Sequence, residues 1–159
     1  MLPTFVRSAT LADVEFVAAN LREADREEVL AAVGIDPTIA LPAYIHEGRE
    51  VYAAGLQLDD RAEVLFGLDP IFGMDRAAVI WLLSTDRIYE HPVEFVIQSG
   101  RIFEVCHQHF DLLTNFIDAR NTRHIRWLKR LGFHMIRKVD KYGYAGIPFI
   151  EFASYRPCA

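Results

Sequence analysis

The chain has 159 residues, 52% of them hydrophobic and 25% charged, with a formal net charge of −5. That mix excludes a disordered chain and is long enough for one domain, expected over residues 1–159, with a sizeable core. No apolar run approaches the ~20 residues of a membrane-spanning helix, the start Met1-Leu2-Pro3-Thr4 lacks the basic leader and apolar stretch of a signal peptide, and Cys106 and Cys158 are too few for a disulfide framework.

Thr4 to Ser8 reads as a short strand. Thr10 followed by Asp13 has the spacing of a capping box and opens a helix to about Asn20. Asp25-Arg26-Glu27-Glu28 repeats that device and predicts a second helix starting there and stopping at Gly34. Asp36-Pro37, a cap then a proline at the first helical position, opens a third helix that ends near Gly48. The runs Val51–Leu58 and Ala62–Leu68, separated by Asp59-Asp60-Arg61, read as a β-hairpin, and Asp69-Pro70 with Gly73 as a loop. Ala77 to Ser84 is almost continuously apolar, the mark of a central strand. Pro92 begins a long helix to about Phe110, with Val93, Val96, Ile97, Gly100, Phe103 and Cys106 as its expected buried stripe. Cys106 is thus expected to be a buried thiol.

Leu112 to Ala119 is the next strand. Asn121 then supplies an N-cap, Ile125, Leu128 and Leu131 repeat at helical spacing, and Gly132 provides a left-handed stop before the extended runs Phe133–Val139 and about 146–154. The segment 120–141 holds eight basic residues against Asp140 alone, a net of +7 on a body that is otherwise −12. Such a zone either balances the acidic N-terminal helices within the fold or faces an acidic or polyanionic partner.

Asn121, Ile125, Leu131, Gly132 and Phe133 resemble, position for position, the Asn-x-x-(small)-Ile-x-x-Tyr-x-x-Leu-Gly-Phe segment of the GCN5-related N-acetyltransferase (GNAT) superfamily, and the opening Phe5 to Asp13 is similar to that family's first strand and helix. The resemblance covers nearly the whole chain. It implies an α/β fold with a mixed, mostly antiparallel seven-stranded sheet flanked by helices and a V-shaped splay between strands four and five, where acetyl-CoA normally lies. Two positions depart: His124 replaces a small residue, and Leu128 stands where the family carries a tyrosine general acid.

The family's diphosphate-binding loop, Gln/Arg-x-x-Gly-x-Gly/Ala, is also missing. Ser84 to Pro92 contains no glycine, puts Asp86 and Glu90 where phosphates would approach, and loses an N–H at Pro92, leaving Arg87 to compensate. The phrases around Trp81, Asp86, Arg126 and Trp127 resemble a GNAT-like group of short-tailed bacteriophages that includes the small internal virion (core) protein. That resemblance implies, as the leading expectation, a non-enzymatic virion or assembly protein without cofactor. It would contact other virion proteins, as a monomer or an oligomer, through Arg120, Arg123, Arg126, Trp127, Lys129 and Arg130, in the host cytoplasm or the virion interior. The alternative is an N-acyltransferase using acetyl-CoA through a divergent site made by Leu83, Ser84, Thr85, Arg87 and Asn121, with His124 moving protons. A second alternative is nucleic-acid or acidic-protein binding by the basic zone.

Three further readings follow from residue chemistry. His107 and His109 lie ~200° apart on a helix and cannot chelate one metal ion. Asn115, unusual within a strand, is expected to fix that strand to a neighbour or to bind a ligand in the cleft. Trp81 and Trp127 are expected in core or edge packing.

Overall fold

Helix starts follow the local chemistry of the sequence. The computed structural model describes residues 4–56 and 60–156; Asp59 and Cys158 lie outside them. Strand β1 (Thr4–Ser8) leads into α1 (Leu11–Ala19), whose start is a complete capping box: Thr10 N–H donates to Asp13 at 2.8 Å and Asp13 N–H donates back to the Thr10 hydroxyl at 3.2 Å. Helix α2 (Glu23–Val33) stops at Gly34, which takes the left-handed φ of +77°. Helix α3 (Pro37–His46) starts at Asp36, whose carboxylate accepts the Thr38 N–H.

The start of α2 differs from expectation. Arg22, not Asp25, sits at the cap, and Asp25 is buried in the first turn. Its carboxylate takes two hydrogen bonds from the Arg22 guanidinium (2.6 and 3.0 Å) and one from the Ser84 N–H (2.9 Å). Burial against a strand end therefore satisfies more groups than a cap would.

Strands β2 (Val51–Leu56), β3 (Val64–Pro70) and β4 (Ala77–Ser84) form an antiparallel meander; the last is bounded as expected, and β3 runs two residues further, through Asp69 and Pro70. A 3-10 turn (Asp86–Glu90) and α4 (Pro92–His109) return the chain to β5 (Leu112–Asp118), followed by α5 (Thr122–Arg130), β6 (His134–Tyr142) and β7 (Ile147–Tyr155). The seven strands lie in the order β1-β2-β3-β4-β5-β7-β6, and every pair is antiparallel except β4–β5. Those two pair only over Ala77–Val79 and Leu112–Thr114, then part. The fold is the α/β arrangement expected, splay included.

Strand alternation divides the core. Ala53, Leu65 and Leu83 pack with Val14, Val17 and Ala18 of α1 and Leu41 of α3, while Ala78, Ile80, Leu113 and Ile117 pack with Phe103 and Cys106 of α4 and Ile125 and Leu128 of α5. Gly67 leaves room for the Trp81 indole on the facing strand; a Cβ there would lie 2.5 Å from the ring. The β6–β7 turn docks on the end of α2: Tyr144 and Ala145 N–H groups donate to the Ala32 and Ala31 carbonyls at 3.1 and 2.9 Å, and Gly143, at φ +63°, passes too close to Ala31 and Ala32 for a side chain.

The inner face of α4 is rotated from expectation. Val93 and Ile97 are exposed, and Phe95, Ser99, Ile102, Phe103 and Cys106 face inward. The Phe95 ring stacks on Trp127 at 5.3 Å between centroids, and the larger aromatic contact sets the helix phase. Burial lifts the Cys106 thiol to about 11, so it is a packed, unreactive group. His107 bridges the Phe110 carbonyl (3.0 Å) and the Ser154 hydroxyl (2.9 Å).

Removing the Asp25 carboxylate strands the buried Arg22 charge and leaves the Ser84 N–H without its acceptor. Asp25→Ala is expected to destabilise the fold by roughly 3–5 kcal/mol, read as a lower midpoint in urea unfolding.

Candidate functional site

Beyond Val79, the edge of β4 that faces β5 no longer has a partner strand, and its backbone groups must be satisfied otherwise. At Ser84 the N–H goes to Asp25 and the C=O accepts the Arg22 N–H at 3.0 Å. At Ile80 the C=O accepts the Asn115 side-chain amide at 2.9 Å. Asn115 thus fixes its strand to its neighbour at the point of divergence, as expected. By alternation the N–H and C=O of Leu82 face the same way, and no side chain or loop among the described residues bonds to them.

Two cavities meet at this edge. One, about 370 Å³, lies in the splay under α2 and α3 and is mostly aliphatic and aromatic; Trp81, Phe116, Leu128 and Tyr142 are among its walls. The other, about 340 Å³, lies between the start of α4 and α5 and is lined by Arg22, Tyr89, Arg123, Arg126 and Arg130 among others. Leu82, His124 and Trp127 line both.

The basic helix contributes unevenly. Arg123, Arg126 and Arg130 have no carboxylate partner among the described residues; Arg123 lies 4.1 Å from the centroid of the Tyr89 ring. Arg120 is tied to Asp118 at 2.6 Å, and Lys129 is exposed away from the cavity. Trp127 is packing as expected, against Phe95, Phe103 and His124, with its N–H on Ser99 at 3.3 Å.

The glycine-free loop behaves differently from expectation. Asp86 and Glu90 sit on the outside of the 3-10 turn, and the loop offers Ile88, Tyr89 and Pro92 to the basic cavity. Arg87 pairs with Glu63 at 3.0 Å and does not line that cavity. Thr85 is also committed: its N–H goes to the Glu63 carbonyl at 2.9 Å and its hydroxyl to the Glu63 carboxylate. Of the Leu83–Thr85 stretch expected in a divergent acetyl-CoA site, the Ser84 N–H and C=O and the Thr85 N–H are occupied, and the open pair among the described residues belongs to Leu82. Leu83 contributes its side chain to the splay cavity.

Asn121 caps α5 through the His124 N–H (3.4 Å) and donates its amide to Glu28 (3.4 Å). His124 is buried, and its Nδ1 has no partner. Burial, with the Arg22 charge nearby, lowers its pKa to about 3, so near pH 7 the imidazole is neutral, with one ring nitrogen protonated and the other not. Its place is that of a hydrogen-bonding group rather than the proton carrier expected.

The sequence points to Glu28 only as the acid closing the Asp25–Glu28 capping device; with the cap at Arg22 instead, it turns toward the splay. It lies on the wall of the splay cavity, where Oε2 accepts the Asp118 N–H (3.2 Å) and the Asn121 amide. Burial first, then the Asp25 charge, pushes its pKa up to about 8.

The whole architecture is that of solved GNAT acetyltransferases. An acetyltransferase (GNAT family) from Bacillus anthracis has a TM-score of 0.74 at 11% identity, over 98% of this chain and 97% of that one. The ribosomal-protein-S5-alanine acetyltransferase of Vibrio fischeri gives 0.66 at 15% identity, over 96% and 93%. The yncA protein of Salmonella typhimurium, solved with its cofactor acetyl-CoA, gives 0.66 at 15% identity, over 97% and 94%. At these identities the likeness is one of fold. No protein-family model and no curated protein matches the chain. The leading expectation of a non-enzymatic virion protein is overturned: the solved structures that share this fold bear acetyltransferase names.

Two titrations check these environments. The His124 ring is expected to keep neutral-form NMR shifts from pH 8 down to pH 5, because its pKa lies near 3. For Glu28 the folded pKa, about 8, exceeds the ordinary 4.5, so the folded state binds the extra proton and stability falls as pH rises between those values. Glu28→Gln is therefore expected to gain on the order of 1–2 kcal/mol over the parent at pH 9 and nothing at pH 4, measured by urea unfolding.

Proposed function

We propose that this protein is an N-acyltransferase that takes its acyl group from an acyl-CoA thioester bound through a divergent cofactor site. The observation that carries this reading is the path formed by the two cavities, basic at one end, apolar at the other, with unused polar groups between. Arg123, Arg126 and Arg130 would hold the donor's phosphates, doing with side-chain charge what glycine-loop N–H groups do elsewhere. The Leu82 N–H and C=O and the orphaned Nδ1 of His124 would meet the amide groups of the pantetheine arm. An unpaired buried nitrogen costs about 1–3 kcal/mol, which a ligand hydrogen bond relieves. The apolar splay then takes the acyl end. The bound thioester supplies an activated acyl group.

Kinship with the phage-encoded group is supported by Trp81, Asp86, Arg126 and Trp127, and an acyl-transferring member is consistent with it.

Acetyl-CoA titrated calorimetrically into the protein is expected to bind with a Kd on the order of 1–100 μM. Joint charge reversal of Arg123, Arg126 and Arg130 to Glu is expected to weaken binding more than about tenfold, whereas Lys129→Glu leaves it unchanged. Thiol release over a panel of amines is expected above background. No binding and no thiol release by the parent protein overturns the reading.

A further inference from the structure

We propose that Glu28 is the group that removes the proton from the acceptor amine, which makes the acceptor a primary amine entering the splay as an ammonium ion. The proposal rests on the acyl-transfer reading, and its argument is one of position and elimination within the cavity.

Glu28 is the one carboxylate among the described residues lining the cavity in the splay. Its two oxygens are used differently. Oε2 is pinned by the Asp118 N–H and the Asn121 amide, which fix the carboxyl at the end of β5. Oε1 makes no hydrogen bond among the described residues and is not sealed by protein, on a residue that lines the cavity. A carboxyl held by one oxygen and free at the other is placed to exchange a proton without losing its position.

The other titratable groups facing this space are unsuited. Tyr44, from α3, and Tyr142, from β6, are raised above the ordinary phenol value, chiefly by burial, and stay protonated. His124, from α5, is neutral with a proton affinity too low to take a proton at pH 7. Asp25, from α2 itself, is consumed by Arg22 and Ser84, and Asp118, from β5, is held by Arg120. Glu28, near 8, is the group matched to neutral-pH proton transfer. The aromatic walls, Trp81, Phe116 and Tyr142, favour a cation carried on an apolar body.

The step balances as follows. The Glu28 carboxylate takes one proton from the bound ammonium. The freed amine nitrogen attacks the thioester carbonyl carbon; the C–N bond forms and the C–S bond breaks. The nitrogen's second proton passes to the departing thiolate, and Glu28 returns its proton to water. The net products are an amide, a free thiol and one proton.

The test compares the parent protein, Glu28→Gln and Glu28→Asp. In the parent, log kcat for an amine that supports thiol release is expected to rise with unit slope and level near pH 8. Glu28→Gln is expected to lose that limb and to fall roughly 100-fold in kcat, while calorimetric acetyl-CoA affinity stays within about threefold of the parent. Glu28→Asp retains the limb at a reduced rate. Independently of turnover, the protein labelled with ¹³C at glutamate carboxyls is expected to show one resonance titrating near pH 8 that is absent from Glu28→Gln. If the parent binds acetyl-CoA and releases thiol but Glu28→Gln keeps its rate and profile, or no carboxyl titrates between pH 7 and 9, the assignment of Glu28 falls and acyl transfer stands. If the parent neither binds acetyl-CoA nor releases thiol, both fall.

Discussion

Two carboxylates on one helix keep the sheet parted. Strands that run parallel and adjacent normally satisfy each other's edge groups, so a splay persists only when something else does so. Here α2 lies across the opening with Asp25 on the Ser84 N–H of β4 and Glu28 on the Asp118 N–H of β5. The two acids are three residues apart and so lie on one helical face. The hydrogen bond from Ser84 to the Asp25 carboxylate contributes about 1.5–3 kcal/mol, and Asp25 also neutralises the buried Arg22; Glu28, raised to about 8, accepts the Asp118 N–H mostly as a neutral carboxyl near pH 7. The cavity, the exposed Leu82 backbone and the position of Glu28 all follow from this clamp.

Charge in the site is divided along its length. The outer cavity has three arginines without carboxylate partners among the described residues, held by α5, whose capping Asn121 also reaches the clamp. The inner cavity is nearly free of ionised groups at neutral pH, because burial discharges His124 and leaves Glu28 only partly ionised. On the proposed reading a polyanion would be held at the wet end, and proton transfer would take place at the dry end, where burial rather than solvent sets the protonation state.

Much of the scaffold was legible locally. Thr10, Asp36, Asn121, Gly34 and Gly132 mark helix ends by chemistry confined to a few residues, and β4 announced itself by an unbroken apolar run. The parts that were not legible depend on distant partners. The phase of α4 is set by Trp127, more than 30 residues away in the chain. The acids of the 84–92 loop were legible as acids but not as outward-facing, since only the 3-10 turn decides that. The missing glycine motif therefore points away from cofactor binding, while the arginines proposed to take its place sit on another element. Glu28 carried the local signal of a capping-box acid, and its inward position was not legible because it depends on the cap falling at Arg22 and on the distant Asp118 and Asn121.

The docking of the β6–β7 turn on α2 has a mechanical consequence. Tyr144 and Ala145 occupy the last carbonyls of the helix, and Gly143 leaves no slack between them. A slip of one residue there would leave two carbonyls without donors, so the outermost hairpin of the sheet and the helix roofing the splay are locked in register at this point. Torsion applied at the far rim of the sheet thereby reaches the gap between β4 and β5 without crossing the core.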